Sequence, residues 1–271
     1  MSEWNFLDHG SRTNLLAVMN RAADEFTELV SDPDAWNAPT ASGHWEVRDL
    51  AGHLIDTIEG YLPGFEAARG RGTPPDPLGL RVMDSHVDQG ALRFRETSRE
   101  EVLDRLRADR EKINAILDGL SQDDWTGLLV THPYMGPLPA CFYPAFQLVD
   151  WAIHSWDIRQ GTGRNHVLAA DVADLLVPVS FVLWQYTVDV SSDTKPMTIG
   201  VRVSGHNAGT TSISVLPDGV TVNPGDVSDL DCVIEFDPAS FVLTAFGRIN
   251  AGSAHGDVAL ADRFLNAIFR V

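Results

Sequence analysis

In the segment Asp150-Trp151-Ala152-Ile153-His154 a carboxylate and an imidazole stand four residues apart. On a helix that spacing sets both side chains on one face, where together they can grip a single cation. A third ligand has to come from elsewhere in the chain. His53 stands beside the apolar stripe of another helical segment, Trp45-Glu46-Val47-Arg48-Asp49-Leu50-Ala51-Gly52-His53-Leu54, and helix bundles build metal sites from side chains on facing helices. Two neutral imidazoles and one carboxylate leave a divalent ion a net charge of about +1 and open coordination positions, the pattern of a catalytic rather than a closed structural site.

The same residues have plainer uses. An Asp and a His four apart most often form an ion pair or a solvated couple, and a lone His at a core edge is commonly just hydrogen-bonded. Asp49 and Asp56 flank His53 at helical spacing and offer it local partners. His44, His86 and His132 lie in loop-like surroundings without a metal-binding spacing and read as spectators. Asp157, three after His154, suits either orienting that imidazole or balancing charge near a helix end. Phe146, Trp151 and Trp156 read as core and cleft wall, and Cys141 as a small buried hydrophobe.

The elements that must carry these residues follow from periodicity. Leu15, Leu16, Met19, Ala22, Ala23, Phe26, Leu29 and Val30 recur at helical spacing and predict a helix over Thr13 to Val30. A second is expected from about Glu46 to Ala68, with Asp49 in its first turn to suit the helix dipole. Ser98 and Glu101 read as a capping box that opens a third helix, through Leu120. A Gly- and Pro-containing loop over Gly127 to Pro139 precedes a helix from Cys141 to Gln160, and a further apolar helix is expected over about Ala169 to Asp189. Beyond Ser191 short alternating runs predict strands at Thr198 to Ser204, Thr210 to Leu216, Val220 to Val222 and Asp231 to Phe236. They imply a small antiparallel sheet, packed by short helices over Pro238 to Phe246 and Asp257 to Phe269. Helices followed by strands give an α+β chain with two domains, residues 1–190 and 191–271.

Composition narrows the function. The net charge of −18 over 271 residues repels phosphate backbones and anionic lipid, so neither nucleic acid nor a membrane is an expected partner. Cys141 and Cys232 are far apart, without a CxxC spacing, which fits a reducing cytoplasm and excludes a disulfide framework. No apolar stretch approaches a membrane span, and the first residues carry no signal-peptide pattern. Of twenty basic residues only Lys112 and Lys195 are lysine, a skew expected of a GC-rich genome.

Three motifs carry a resemblance. The Trp45-to-Leu54 phrase resembles the element that opens the second helix of DinB-like metal-binding four-helix bundles. Asp150-Trp-Ala-Ile-His-Ser-Trp-Asp157 resembles an E-x-x-x-H-x-W-D element of the mycothiol-dependent maleylpyruvate isomerase family. Phe246-Gly-Arg-Ile-Asn with His255-Gly-Asp-Val-Ala-Leu-Ala-Asp-Arg-Phe-Leu is similar to the ending of that family's small sterol-carrier-like domain. The resemblance implies a DinB-like four-helix bundle followed by a small α/β sterol-carrier-like domain. It implies metal ligands at His53, Asp150 and His154, with zinc the expected ion, and Arg248 directed to the active site, where it would neutralise a carboxylate or enolate. Asp150 replaces the family's glutamate and is one methylene shorter. The implied activity is a thiol-cofactor-dependent isomerase or S-transferase with mycothiol as cosubstrate and a small electrophile as substrate. A metal-dependent hydrolase and a non-catalytic metal- or ligand-binding protein are the alternatives. Neither substrate nor oligomeric state is legible.

Overall fold

A computed structural model describes residues 2–188, 190–191 and 194–268, and the chain divides into two compact units, Met1–Val167 and Leu168–Val271. The first unit is helical. Four long helices among its described residues are α1 (Arg12–Ser31), α2 (Val47–Ala68), α4 (Arg99–Asp118) and α6 (Phe142–Gly161), with the shorter α3 (Met83–Leu92) and α5 (Gln122–Gly127) between them. The eight apolar positions of the α1 stripe are all buried, and that face packs on α6, while α2 packs on α3 and α4 and also meets α1 and α6. Burying such a stripe is what holds each helix, because an isolated helix of this length is marginal in water.

Caps set the starts. At α2 the Glu46 side chain accepts from the N–H of Asp49, while Asp49 accepts from the N–H of Glu46 at 2.9 Å. At α4 the Ser98 hydroxyl accepts from the N–H of Glu101 at 3.2 Å. Both hold the helix in the register that the apolar stripe requires.

The stretch expected as a loop before α6 is instead a hairpin, β1 (Leu129–His132) and β2 (Gly136–Pro139), paired antiparallel from Leu129↔Pro139 to His132↔Gly136. It lies on α2. The Tyr143 hydroxyl donates to the carbonyl of Val130 at 3.0 Å. Gly64 of α2 lets the strand approach, since a Cβ there would lie 2.4 Å from the Thr131 carbonyl oxygen.

The second unit holds α7 (Ala170–Thr187), then β3 (Met197–Val203), β4 (Gly209–Leu216), β5 (Gly219–Pro224) and β6 (Cys232–Phe236), followed by α8 (Pro238–Ala245), β7 (Ser253–Gly256) and α9 (Val258–Asn266). The strand order is β5-β4-β3-β6-β7. The sheet is antiparallel except where β6 runs parallel to β3, pairing Gly200↔Val233 through Val203↔Phe236, so the all-antiparallel expectation needs that correction. Alternation reports which face a side chain takes and is silent on the direction of the neighbouring strand.

The expected boundary at 190/191 differs from the structural division by α7. That helix packs on α8 and β5, with Trp184 edge-on to Phe241 at 4.9 Å and to Phe264 at 5.2 Å. Asp189, Ser192, Asp193 and Phe269, which fall in or beside expected elements, lie outside the described residues. Among the described residues no helix is long and apolar enough to cross a membrane. Cys141 and Cys232 are free and fully buried.

Candidate metal centre

α2 and α6 bring His53, Asp150 and His154 together. Each offers a ligand atom, and the three atoms lie within 4.8 Å of one another. Both histidines are buried and Asp150 is half-buried. His53 Nε2 stands 3.9 Å from Asp150 Oδ1, too far for a hydrogen bond. Ligands at 2.0–2.1 Å around a tetrahedral ion sit about 3.3 Å apart, so the three atoms would have to draw together slightly to share one. The two imidazole rings stand near-perpendicular, their centroids 4.9 Å apart.

The other ring nitrogen of His154 has a carboxylate behind it. His154 Nδ1 lies 2.9 Å from Asp157 Oδ2, and Asp157 is fully buried. A carboxylate there accepts the Nδ1 proton, which makes Nε2 the nitrogen that carries the lone pair. This carboxylate–imidazole pairing is the usual support of a metal-ligating histidine. Trp45 forms a wall, its ring 5.1 Å from that of His53 and 6.2 Å from that of His154. Its indole N–H donates to Asp88 Oδ1 at 2.9 Å, which fixes the ring.

The local partners available to His53 are engaged elsewhere. Arg95 grips Asp49 through two hydrogen bonds of 2.9 and 2.6 Å. Asp56 pairs with Arg93 at 3.1 Å, and burial pushes its carboxyl above the ordinary range. Among the described residues His53 makes no hydrogen bond to either carboxylate.

The other candidates separate cleanly. His44 pairs with Asp88 on the exposed side, and His86, which lies in α3 rather than a loop, contacts the Val82 carbonyl. His132 closes β1 and is buried, and burial pushes its pKa down to about 4. None of the three belongs to the ligand cluster. Burial pushes the Cys141 thiol up to about 12, which makes it a packing residue and not a nucleophile. Gln147, one turn before Asp150 on α6, is fully buried, with no partner for its amide among the described residues.

Arg248 lies in the second unit, just after α8. Gly247 adopts φ +65°, a conformation that favours glycine. The turn closes as the Arg248 N–H donates to the Leu243 carbonyl at 2.8 Å, and its guanidinium donates to the Phe246 carbonyl at 2.8 Å.

Comparison with known proteins places this site in a family. Residues 19–159 match the mycothiol maleylpyruvate isomerase N-terminal domain. The fold is similar to the crystal structure of the mycothiol-dependent maleylpyruvate isomerase, with a TM-score of 0.59 at 12% identity over 90% of this chain and 92% of that one. A mutant of that enzyme gives a TM-score of 0.58 at 11% identity over the same shares. The colibactin self-resistance protein ClbS, solved with double-stranded DNA, gives a TM-score of 0.47 at 15% identity over 56% of this chain and 94% of that one. No curated protein matches the chain by sequence. The matched segment takes in α2 and most of α6, and with them all three candidate ligands, so the chain belongs to the mycothiol maleylpyruvate isomerase N-terminal domain family.

Proposed function

We propose that this protein is a metal- and thiol-dependent isomerase or S-transferase that acts on a small, carboxylate-bearing electrophile. The observation that carries the reading is the buried His53–Asp150–His154 cluster with Asp157 behind His154, in a chain of this family. The donor set, two imidazoles and one carboxylate, fits zinc, and Asp150 supplies the hard oxygen that glutamate would supply. A divalent ion held there would supply Lewis acidity, keeping a low-molecular-weight thiol such as mycothiol deprotonated at neutral pH.

The residues of the chain do the rest. His154 is kept in one tautomer by Asp157, and the Trp45 ring excludes water from one side of the two imidazoles. The thiolate adds through its sulfur lone pair to an electrophilic carbon, and the carbanion formed is held as an enolate. Expulsion of the thiolate after bond rotation gives isomerisation, and protonation with the C–S bond kept gives transfer. The proposal extends to Arg248 as the group that neutralises the substrate carboxylate or enolate.

Metal analysis of protein purified without a histidine tag tests the first part, with about one equivalent of zinc expected per chain. Asp150→Ala should lose most of that metal and retain its helical circular dichroism, because the packing rests on apolar stripes. Consumption of an electrophile that depends on added thiol tests the second part, and turnover without thiol would reassign the protein as a hydrolase. Arg248→Ala should keep the metal and lose roughly 10²- to 10³-fold in thiol-dependent turnover.

A further inference from the structure

The β1–β2 turn holds His132 in a single protonation form. Its Nδ1 accepts from the backbone N–H groups of Tyr134 and Met135, each at 3.2 Å. With two donors on that nitrogen, the ring proton must sit on Nε2. Burial acts in the same direction, since it disfavours the imidazolium. The ring is therefore a neutral donor of fixed orientation.

No acceptor among the described residues takes that donor. Among the described residues His132 makes its hydrogen bonds through Nδ1, and Nε2–H has no acceptor. Aromatic faces surround it, with Tyr61 at 5.4 Å, Phe146 at 5.5 Å and Tyr143 at 6.3 Å between ring centroids. That nitrogen is not among the fully buried polar atoms left without a partner, so its proton is open to a ligand or water. The ring is 7% exposed, so its free edge is not sealed off.

Its place is beside the ligand cluster. Phe146 lies one helical turn before Asp150 on α6, and the Asp150 carboxylate is the charge whose field His132 feels. The same carboxylate acts on Tyr61 from α2. The hairpin thus delivers an oriented N–H donor to the α2–α6 side that carries the metal ligands.

We propose that His132 is a substrate-binding residue, whose Nε2–H donates to a carboxylate oxygen of the electrophile. This rests on the function proposed above and adds to it the contact that selects an acid over its neutral analogue. A donor without charge suits this place, because it binds an anion without opposing the cation at the ligand cluster.

Two substitutions separate this role from a purely structural one. The Asn side-chain oxygen reaches the place of Nδ1 and keeps the turn, whereas the Gln amide nitrogen reaches the place of Nε2 and keeps the donor. The probe is maleate, a small dicarboxylate, titrated calorimetrically into the zinc-loaded full chain, with dimethyl maleate as the neutral control. His132→Asn should weaken maleate binding roughly tenfold or more, and His132→Gln by no more than about threefold. Both should hold zinc as the wild type does, and neither should change binding of the diester.

The opposite order, with Asn like wild type and Gln impaired, would show that the ring only clamps the turn and would overturn the proposal. Wild-type affinity in both variants, or no maleate binding by the wild type, would overturn it as well. Thiol-dependent turnover of another electrophile would then leave the wider functional reading intact, whereas absence of both metal and thiol dependence would remove that reading too. Should either variant fail to fold, nitrogen-15 NMR of the wild type decides. The His132 Nε2–H proton should move downfield and saturate with maleate, and an unmoved resonance would refute the contact.

Discussion

Asp157 shows how much one buried carboxylate can decide. Through His154 Nδ1 it chooses which imidazole nitrogen keeps the lone pair. Asp157→Asn keeps the shape and weakens that preference, so zinc affinity should fall about 10- to 100-fold, as measured by competition with a chelator, with the helical content unchanged. His132 makes a separate prediction about pH. Its folded pKa of about 4 lies below the ordinary value of 6.5. Between those values the unfolded chain binds a proton that the folded chain does not, so stability falls as the pH falls through that window. The loss is on the order of 3 kcal/mol if the whole shift is expressed. In metal-free protein, urea unfolding at pH 6.5 and 4.5 should therefore show a smaller acid loss for His132→Asn than for the wild type. At this scale the sequence was half legible. The four-residue spacing of Asp150 and His154 announced a shared face, but His53 joins them from another helix, and only the motif resemblance linked the two.

The elements explain what was visible and what was not. α1 and α4 each bury an apolar stripe at helical spacing, and a stripe is a local property of the chain; α6 is buried almost all round. The β1–β2 hairpin is not legible as strand because Gly136, Pro137 and Pro139 are poor strand residues, and what makes them a strand is pairing with β1, which itself packs on α2. α3 and α5 were missed for a related reason, since each buries only two residues or fewer and so leaves a faint stripe. The parallel β3–β6 pair is non-local, as β4 and β5 intervene. Gly64 marks the contact that makes the hairpin. An alanine there gains helix propensity, but its Cβ meets the Thr131 carbonyl oxygen at 2.4 Å and a Val130 methyl at 3.2 Å. The strand would have to give way. Gly64→Ala should cost about 1–3 kcal/mol in denaturant unfolding, and because His132 follows Thr131 it should also disturb maleate binding.

Taken whole, the molecule carries a net charge of −18, which works against any anionic substrate arriving from solution. Salt screens that field within about 8–10 Å at physiological ionic strength. The kcat/KM for a dicarboxylate should therefore rise as ionic strength rises from low values, while that for a neutral electrophile stays flat, a comparison made with one enzyme stock across a salt series. A final consequence lies in the two cysteines, both fully buried, with burial pushing both thiols above their ordinary range. On the function proposed above, the protein would also meet the oxidised form of its small thiol, and attack on a disulfide requires a thiolate that can reach it. Cys141 and Cys232 supply neither the charge nor the access. The fold thus keeps its own sulfur out of thiol–disulfide exchange, and the protein should stay free of mixed disulfides when the surrounding thiol pool turns oxidising.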